Sequence, residues 1–222
     1  VECCRKVKNI KFLDELVSFF EKLPGVGKKT ATRYAFYIAE KFDDEDVTQA
    51  VKAINDIHEN VTHCKKCNML SASEICDICQ DELRDKTKIL VVKDTRDILT
   101  LEATHQYNGL YYVLGGLISP LDGIGPDDLN IDKLEEISKD PAVNEVILAT
   151  SFTPQGETTA LYLERILARE NLKITRIAYG LPAGGDIEYA DERTIQRACL
   201  STTGKRMDRI PYFAFGSECP KV

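Results

Sequence analysis

Residues 63–85 read HCKKCNMLSASEICDICQDELRD, and this stretch separates two unlike parts of the chain. Cys64, Cys67, Cys76 and Cys79 follow the spacing C-x2-C, eight residues, C-x2-C. Each C-x2-C pair turns both sulfurs toward one point. Two such pairs complete the tetrahedral thiolate shell that Zn²⁺ takes in a closed structural site. No coordination position is left for water, so the predicted zinc holds the chain together and does no chemistry. The stretch is too polar to build an apolar core, and the metal would supply the folding energy that burial cannot. The competing reading is a pair of redox dithiols or disulfides, but redox C-x-x-C motifs seldom come paired this closely. His63 is not needed as a ligand, because four sulfurs already fill the shell.

Upstream, the pattern is helical. FLDELVSFFEKL (12–23) places Phe12, Leu13, Leu16, Phe19, Phe20 and Leu23 near helical spacing, and Pro24-Gly25 breaks the run. KKTATRYAFYIAEKF resumes the periodicity, and residues 45–61 form a third helix with Val47, Val51, Ile54 and Ile57 expected to point inward. Downstream from Lys88, short apolar runs alternate with helical segments. KILVVK, LYYVLGG, EVILATS and KITRIAY read as buried strands, with helices in DTRDILTLEATHQY, DDLNIDKLEEISKD and TTALYLERILARE. Alternating strand and helix predicts a parallel sheet covered on both faces.

The 222 residues carry a net charge of −7, which argues against a surface coated for DNA. Residues 1–33, however, hold eight Lys/Arg against four Asp/Glu, a balance of 8 − 4 = +4. The remaining residues then carry −7 − 4 = −11. A basic end on an acidic body points to nucleic acid at that end. No apolar run is long enough to span a membrane and no signal peptide is evident, so a soluble cytoplasmic protein is expected, in a reducing compartment. Cys3, Cys4, Cys199 and Cys219 have no ligand spacing and read as ordinary thiols.

Within the basic end, Leu23-Pro24-Gly25-Val26-Gly27-Lys28-Lys29 joins two helices. Gly25 and Gly27 let the turn come close to another backbone and adopt positive φ. The following helix offers its first free N–H groups to an anion, for which a phosphate is the natural occupant. Lys28 and Lys29 sit at the turn, and Arg33 lies one turn beyond Lys29. The pattern is a helix-hairpin-helix that grips sugar-phosphate without reading bases. A P-loop is excluded at Gly27-Lys28, because Lys22 and Lys29 stand where Gly and Ser/Thr are required. Gly204-Lys205 fails in the same way.

The order of these parts, followed by RIAYGLPAGGDIEYADE, resembles the bacterial RecR family of recombination mediators from about Leu16 to about Ala198. The most specific stretches are LPGVGKKTATRYAF, CKKC…CDIC, ILVVKDTRDILTLE, GLYYVLGGLISPLDGIGP and EVILATSFTPQGETTALYL. The resemblance implies a multidomain α+β and α/β protein. A helix-hairpin-helix domain (1–62), a Cys4 zinc finger (63–86), a Toprim domain with a parallel sheet (87–178) and a C-terminal region (179–222) are expected in turn. It implies a non-enzymatic DNA-repair protein that forms a ring-like dimer or tetramer. With RecO, and with RecF in some settings, such a ring helps load RecA onto gapped single-stranded DNA near the nucleoid. The family's DNA-binding basic residues fall on Lys29 and Arg33.

A catalytic Toprim site would need a Glu after its first strand and a D-x-D after a later one, to hold Mg²⁺. Lys93 stands where related chains usually carry the Glu, and Ala149-Thr150-Ser151 replaces the D-x-D. Asp94, Asp97 and Glu102 leave room only for a weak Mg²⁺ site. Further departures are Tyr112 where the family usually has His, the start VECCRKVKNI, and the tail after Leu200 with Tyr212, Phe213 and Phe215. Gly180, Gly184, Gly185, Asp186 and Glu188 read as a structural turn. Two other functions compete with the mediator: a Toprim-type Mg²⁺-dependent DNA-cleaving enzyme, and a zinc-stabilised adaptor that never touches DNA. Lys93 argues against the first, and Lys28, Lys29 and Arg33 against the second. The apolar surplus of Phe12, Leu13, Phe19 and Phe20 predicts a two-fold self-association through the hairpin end.

Overall fold

The computed structural model describes residues 10–178, 180–181, 184–192, 194–195 and 198. The described residues fall into two units, one within Val1–Cys64 and Leu70–Cys76, the other within Lys65–Met69 and Asp77–Val222.

In the first unit, α1 (Lys11–Phe20) and α2 (Lys28–Lys41) pack against each other. Ala31 and Ala35 are fully buried, and their small side chains let the two helix backbones approach closely. Phe20 sets its ring edge-to-face against Tyr34, with centroids 5.9 Å apart. α1 ends three residues before the predicted stop: the chain turns at 21–25, and Gly25 at φ +79 takes the left-handed conformation that reverses it. α3 (Asp44–Asn60) is started by a capping box, in which the Asp43 carboxylate accepts from the Asp46 amide at 2.9 Å. The expectation that Val47, Val51, Ile54 and Ile57 point inward is overturned. α3 has no buried residue, and these four side chains are 43–65% exposed. Helical periodicity defines an apolar face but does not say what covers it.

Two short strands, β1 (Thr62–His63) and β2 (Leu70–Ser71), pair antiparallel across the turn of the cysteine segment, and α4 (Asp77–Gln80) follows.

The second unit is built on a parallel sheet in the order β4-β3-β5-β6. Its strands are β3 (Asp85–Val92), β4 (Gly109–Val113), β5 (Glu145–Leu148) and β6 (Lys173–Arg176). α5 (Thr95–Glu102) covers one face, with Ile98 packed among Leu90, Val92, Tyr111 and Val113. α6 (Ile131–Ser138) and α7 (Pro154–Leu167) cover the other, where Leu134 and Leu163 meet Ile89, Val91, Tyr112, Val146 and Leu148. Both faces are buried, which is why the strands are near-continuous apolar runs.

Three boundaries differ from the sequence reading for local reasons. α5 stops at Glu102, and His105 lies at φ 53, where a helix cannot continue. α6 starts at Ile131 because Pro126–Asp128 closes a separate 3-10 turn. α7 starts at Pro154, a residue suited to the first helical position, behind the Thr153 cap.

Arg84 and Glu102 tie the entry of β3 to the end of α5. The Arg84 guanidinium donates to Glu102 Oε1 at 2.8 Å, and the Tyr111 hydroxyl donates to the same oxygen at 2.6 Å. The hydrogen bond from Arg84 holds the Glu102 carboxyl below its usual value, and the same bond raises the Arg84 pKa. A carboxyl depressed on folding contributes stability that is present above its unfolded pKa of about 4.3 and lost as pH falls through its folded value. Glu102→Gln is expected to destabilise the protein by about 1–3 kcal/mol at neutral pH. The difference from the parent should shrink as pH falls below the ordinary glutamate range, as read by urea unfolding at neutral and acid pH.

Candidate nucleic-acid interface and metal centre

The hairpin turn ends in a clean helix start. Gly27 precedes α2 with an extended backbone (φ −83, ψ 165), and no side chain caps the helix. The first amide bonded back into α2 is that of Ala31, which donates to Gly27 O at 3.0 Å. The amides of Lys28, Lys29 and Thr30 therefore have no carbonyl partner within the helix, and they carry the positive end of its dipole. Gly25 needs its glycine for a positive φ, whereas Gly27 does not. A Cβ at either position would meet nothing within 4 Å, so the space above the turn is open.

Lys28, Lys29 and Arg33 are all exposed, and none is ion-paired among the described residues. Arg33 lies 5.6 Å from the Tyr34 ring centroid, which steadies the guanidinium without consuming its donors. The five residues predicted for DNA contact thus share one turn and the first turns of one helix.

The carboxylates at the Toprim strand ends are not gathered. Asp94 caps α5, accepting from the Arg96 amide at 2.8 Å, and is held ionised first of all by a side-chain hydrogen bond from Arg96. Asp97 returns a bond to the Asp94 amide at 3.2 Å, and Glu102 is committed to Arg84 and Tyr111. Lys93 is exposed. Thr150 is buried, and its hydroxyl donates to Gly156 O at 3.0 Å, which fixes the start of α7. Gly156 is required there, because a Cβ would collide with the Ser151 carbonyl. The partner that decides the fate of Glu102, Arg84, was not singled out from the sequence. Its one signal was a lone arginine at the end of the cysteine stretch, just before the first strand. Among the turn residues after β6, Gly184 lies at φ 78 and Ile187–Tyr189 forms a 3-10 turn. Cys3, Cys4, Cys199, Cys219 and the aromatic tail lie outside the described residues.

The four cysteines do converge. Cys64, Cys67, Cys76 and Cys79 are buried, and their sulfurs all lie within 4.8 Å of one another. Between residues 62 and 80 they are the only buried side chains. None of the four is in a disulfide, and the Cys76 amide donates to Cys64 Sγ at 3.3 Å. Among the described residues this is the one cluster of three or more potential ligands, and His63 is not part of it. Asn68 adopts φ 61 directly after Cys67, a left-handed turn that asparagine tolerates, and its amide donates to Val113 O at 2.9 Å. Four buried sulfurs at this spacing fit Zn²⁺, which sets sulfurs about 2.3 Å from the metal in a tetrahedron. Cys67→Ser is expected to take bound zinc from one ion per chain to none and to lower the unfolding temperature, as would a strong chelator. Metal analysis of the purified variant beside thermal unfolding reads both effects.

Comparison with known proteins agrees with this layout. Residues 13–58 match the RecR helix-hairpin-helix family and residues 61–81 the RecR Cys4-zinc finger domain. Residues 87–178 match the Toprim domain and residues 180–198 the RecR C-terminal family. The chain is 48% identical over 189 residues to Recombination protein RecR of Streptococcus thermophilus, covering 85% of this chain and 95% of that protein. It is 44% identical over 190 residues to the protein of the same name from Pediococcus pentosaceus, covering 85% and 95%. The counterpart from Staphylococcus saprophyticus is 44% identical over 191 residues, covering 86% and 96%. The chain belongs to the RecR family of recombination proteins.

Proposed function

We propose that this chain is a DNA-repair recombination mediator that binds DNA backbone through its hairpin and acts without catalysing a reaction. In this reading Lys28, Lys29 and Arg33 meet phosphates, and Gly25 and Gly27 leave the backbone open for them. The observation that carries the reading is the coincidence of three cations, unpaired among the described residues, with the amides of α2 that have no carbonyl partner within the helix. All the elements of an anion site lie on one turn, in a chain whose net charge is otherwise negative.

The four-part division at 1–62, 63–86, 87–178 and 179–222 assigns DNA contact to the first part and a structural role to the zinc. Partner contact is left to the rest. RecO, and RecF in some settings, are the proposed partners in loading RecA on gapped single strands, in the bacterial cytoplasm. No helix among the described residues is long and apolar enough to cross a membrane. A non-enzymatic role is supported by Lys93 and by the engagement of Asp94, Asp97 and Glu102 with protein groups.

Self-association into a dimer or tetramer ring is supported by the apolar surface of the first unit. Phe12 is 77% exposed and the α3 stripe of Val47, Val51, Ile54 and Ile57 is uncovered. Pairing with the same surface of a second copy would cover it, and gathering several hairpins around one opening would multiply weak phosphate contacts.

The double variant Lys29→Ala/Arg33→Ala is expected to weaken binding to single- and double-stranded DNA of any sequence. Each lost phosphate contact should shallow the log–log salt slope by about 0.7–0.9. Titrations at several salt concentrations check this, and an unchanged slope would move DNA contact elsewhere. For the assembly, Ile54→Asp is expected to lower the mass measured by light scattering and to weaken DNA binding with it, at unchanged zinc content.

A further inference from the structure

The second unit contains a groove that the DNA reading does not use. It runs along the edge strand β4, between α6 and the loop that carries Cys67, and has a volume of about 610 Å³. Its floor is aliphatic, with Leu110 and Ile137 partly exposed over the buried Ile89 and Val143. Four lysines line it: Lys65, Lys66, Lys86 and Lys133. They come from the cysteine loop, β3 and α6, so no sequence motif announces them. Their gathering runs against the surrounding charge, since residues 65–178 hold thirteen Lys/Arg against nineteen Asp/Glu, a balance of 13 − 19 = −6. Neighbouring lysines are neutralised: Lys88 pairs with Asp85 at 3.0 Å and Lys139 with Glu135 at 2.8 Å. Lys66, Lys86 and Lys133 are in no ion pair among the described residues. Two carboxylates also line the groove, Glu136 and Asp140, and Asp140 is already bonded to the Ala142 amide at 2.9 Å.

We propose that this groove docks a short acidic segment of a protein partner, its apolar side chains on the aliphatic floor and its carboxylates against Lys66, Lys86 and Lys133. The volume admits a few apolar side chains, and a lysine margin around an apolar floor complements alternating acidic and apolar residues. Nucleic acid fits less well. Base stacking needs an open aromatic face, and the groove's tyrosines, Tyr111 and Tyr112, are 2% and 1% exposed. The chain's own ends are the wrong sign: residues 1–9 carry three basic groups and one acidic, and residues 201–222 carry four and two. In the acidic run Asp43-Asp44-Glu45-Asp46 of a second copy, Asp43 and Asp46 are engaged in the capping box of α3 and Glu45 accepts from Gln49 at 3.3 Å.

The test is selection of a displayed short-peptide library on the full zinc-loaded protein, with selected peptides remade and measured by fluorescence anisotropy. Peptides pairing Asp or Glu with Leu, Ile or Phe are expected. Their binding should fall about tenfold in Lys86→Glu/Lys133→Glu and weaken as salt rises. Zinc content and circular dichroism report whether that variant folds, and Lys133→Glu alone gives a second, milder reading of the same groove. Selected peptides without acidic residues, or binding indifferent to both variants, would overturn the proposal. So would loss of oligothymidylate binding in the double variant, which would give the groove to nucleic acid. A fall in its oligomeric mass would give the groove to a second copy. The peptide outcomes do not involve Lys29 or Arg33, so their failure leaves the hairpin reading standing, whereas loss of oligothymidylate binding would count against both.

Discussion

Closure of four thiolates around one point is the constraint on which the middle of this chain depends. The four cysteines are the only fully buried residues between 62 and 80, and apart from Met69 and Ile78, which lean partly buried on the sheet core, the segment has little apolar packing to hold it. Once the sulfurs are gathered, the main chain beside them becomes a fixed edge. The Val113 amide donates to Cys67 O at 2.8 Å, and the Asn68 side chain closes on Val113 O. The outer edge of a parallel sheet carries unpaired backbone groups that have to be answered, and here the metal-held loop answers those of Val113 at the end of β4. Tyr111 and Tyr112, beside it on the same strand, are left almost without solvent. The zinc thus does sheet-edge work that an additional strand would otherwise do.

The hairpin meets a different physical demand with very few residues. Close approach of α1 and α2 needs small side chains at the contact, which Ala31 and Ala35 supply on one face of α2. That leaves the opposite face and the open N-terminus free of packing duties. Replacing Gly27 by a capping serine or aspartate would have stabilised the helix by only a few tenths of a kcal/mol, and the aspartate would have placed a negative charge where an anion is to bind. The chain has Gly27 there instead, and lysines follow it. On the proposed reading, the helix start is left unfinished so that a phosphate completes it.

The legible and illegible parts of this fold divide along a physical line. The cysteine cluster, the alternation of strands and helices and the hairpin turn are encoded in residues close in sequence, and each was readable. What was not readable depends on residues that meet only after folding. The Glu102 carboxyl looked available for a metal until Arg84, eighteen positions earlier, bonded it. The α3 stripe was read as inward because a 3.6-residue period looks the same whether its cover is the same chain or nothing. The lysine groove draws on three segments that no spacing rule connects. Helix ends shifted where one residue's backbone overruled the periodicity, as His105 does after α5.

In the Toprim part, the carboxylates near the strand ends are bonded to protein groups. A parallel sheet brings the ends of its strands to one edge, and a metal-dependent site on it needs several carboxylates left unneutralised there. In this chain each nearby carboxylate has been given a protein partner. Asp94 faces Arg96 and the start of α5, Asp97 faces the Asp94 amide, and Glu102 faces Arg84 and Tyr111. Lys93 adds a positive charge at the strand end. Binding Mg²⁺ would require breaking charge-assisted hydrogen bonds and placing a dication beside an ammonium, and both changes oppose the metal. Function on a shared fold is decided by the residues at the site. Here those residues are bonded to protein groups, and the edge strand β4 meets the cysteine loop where the Val113 amide donates to Cys67 O.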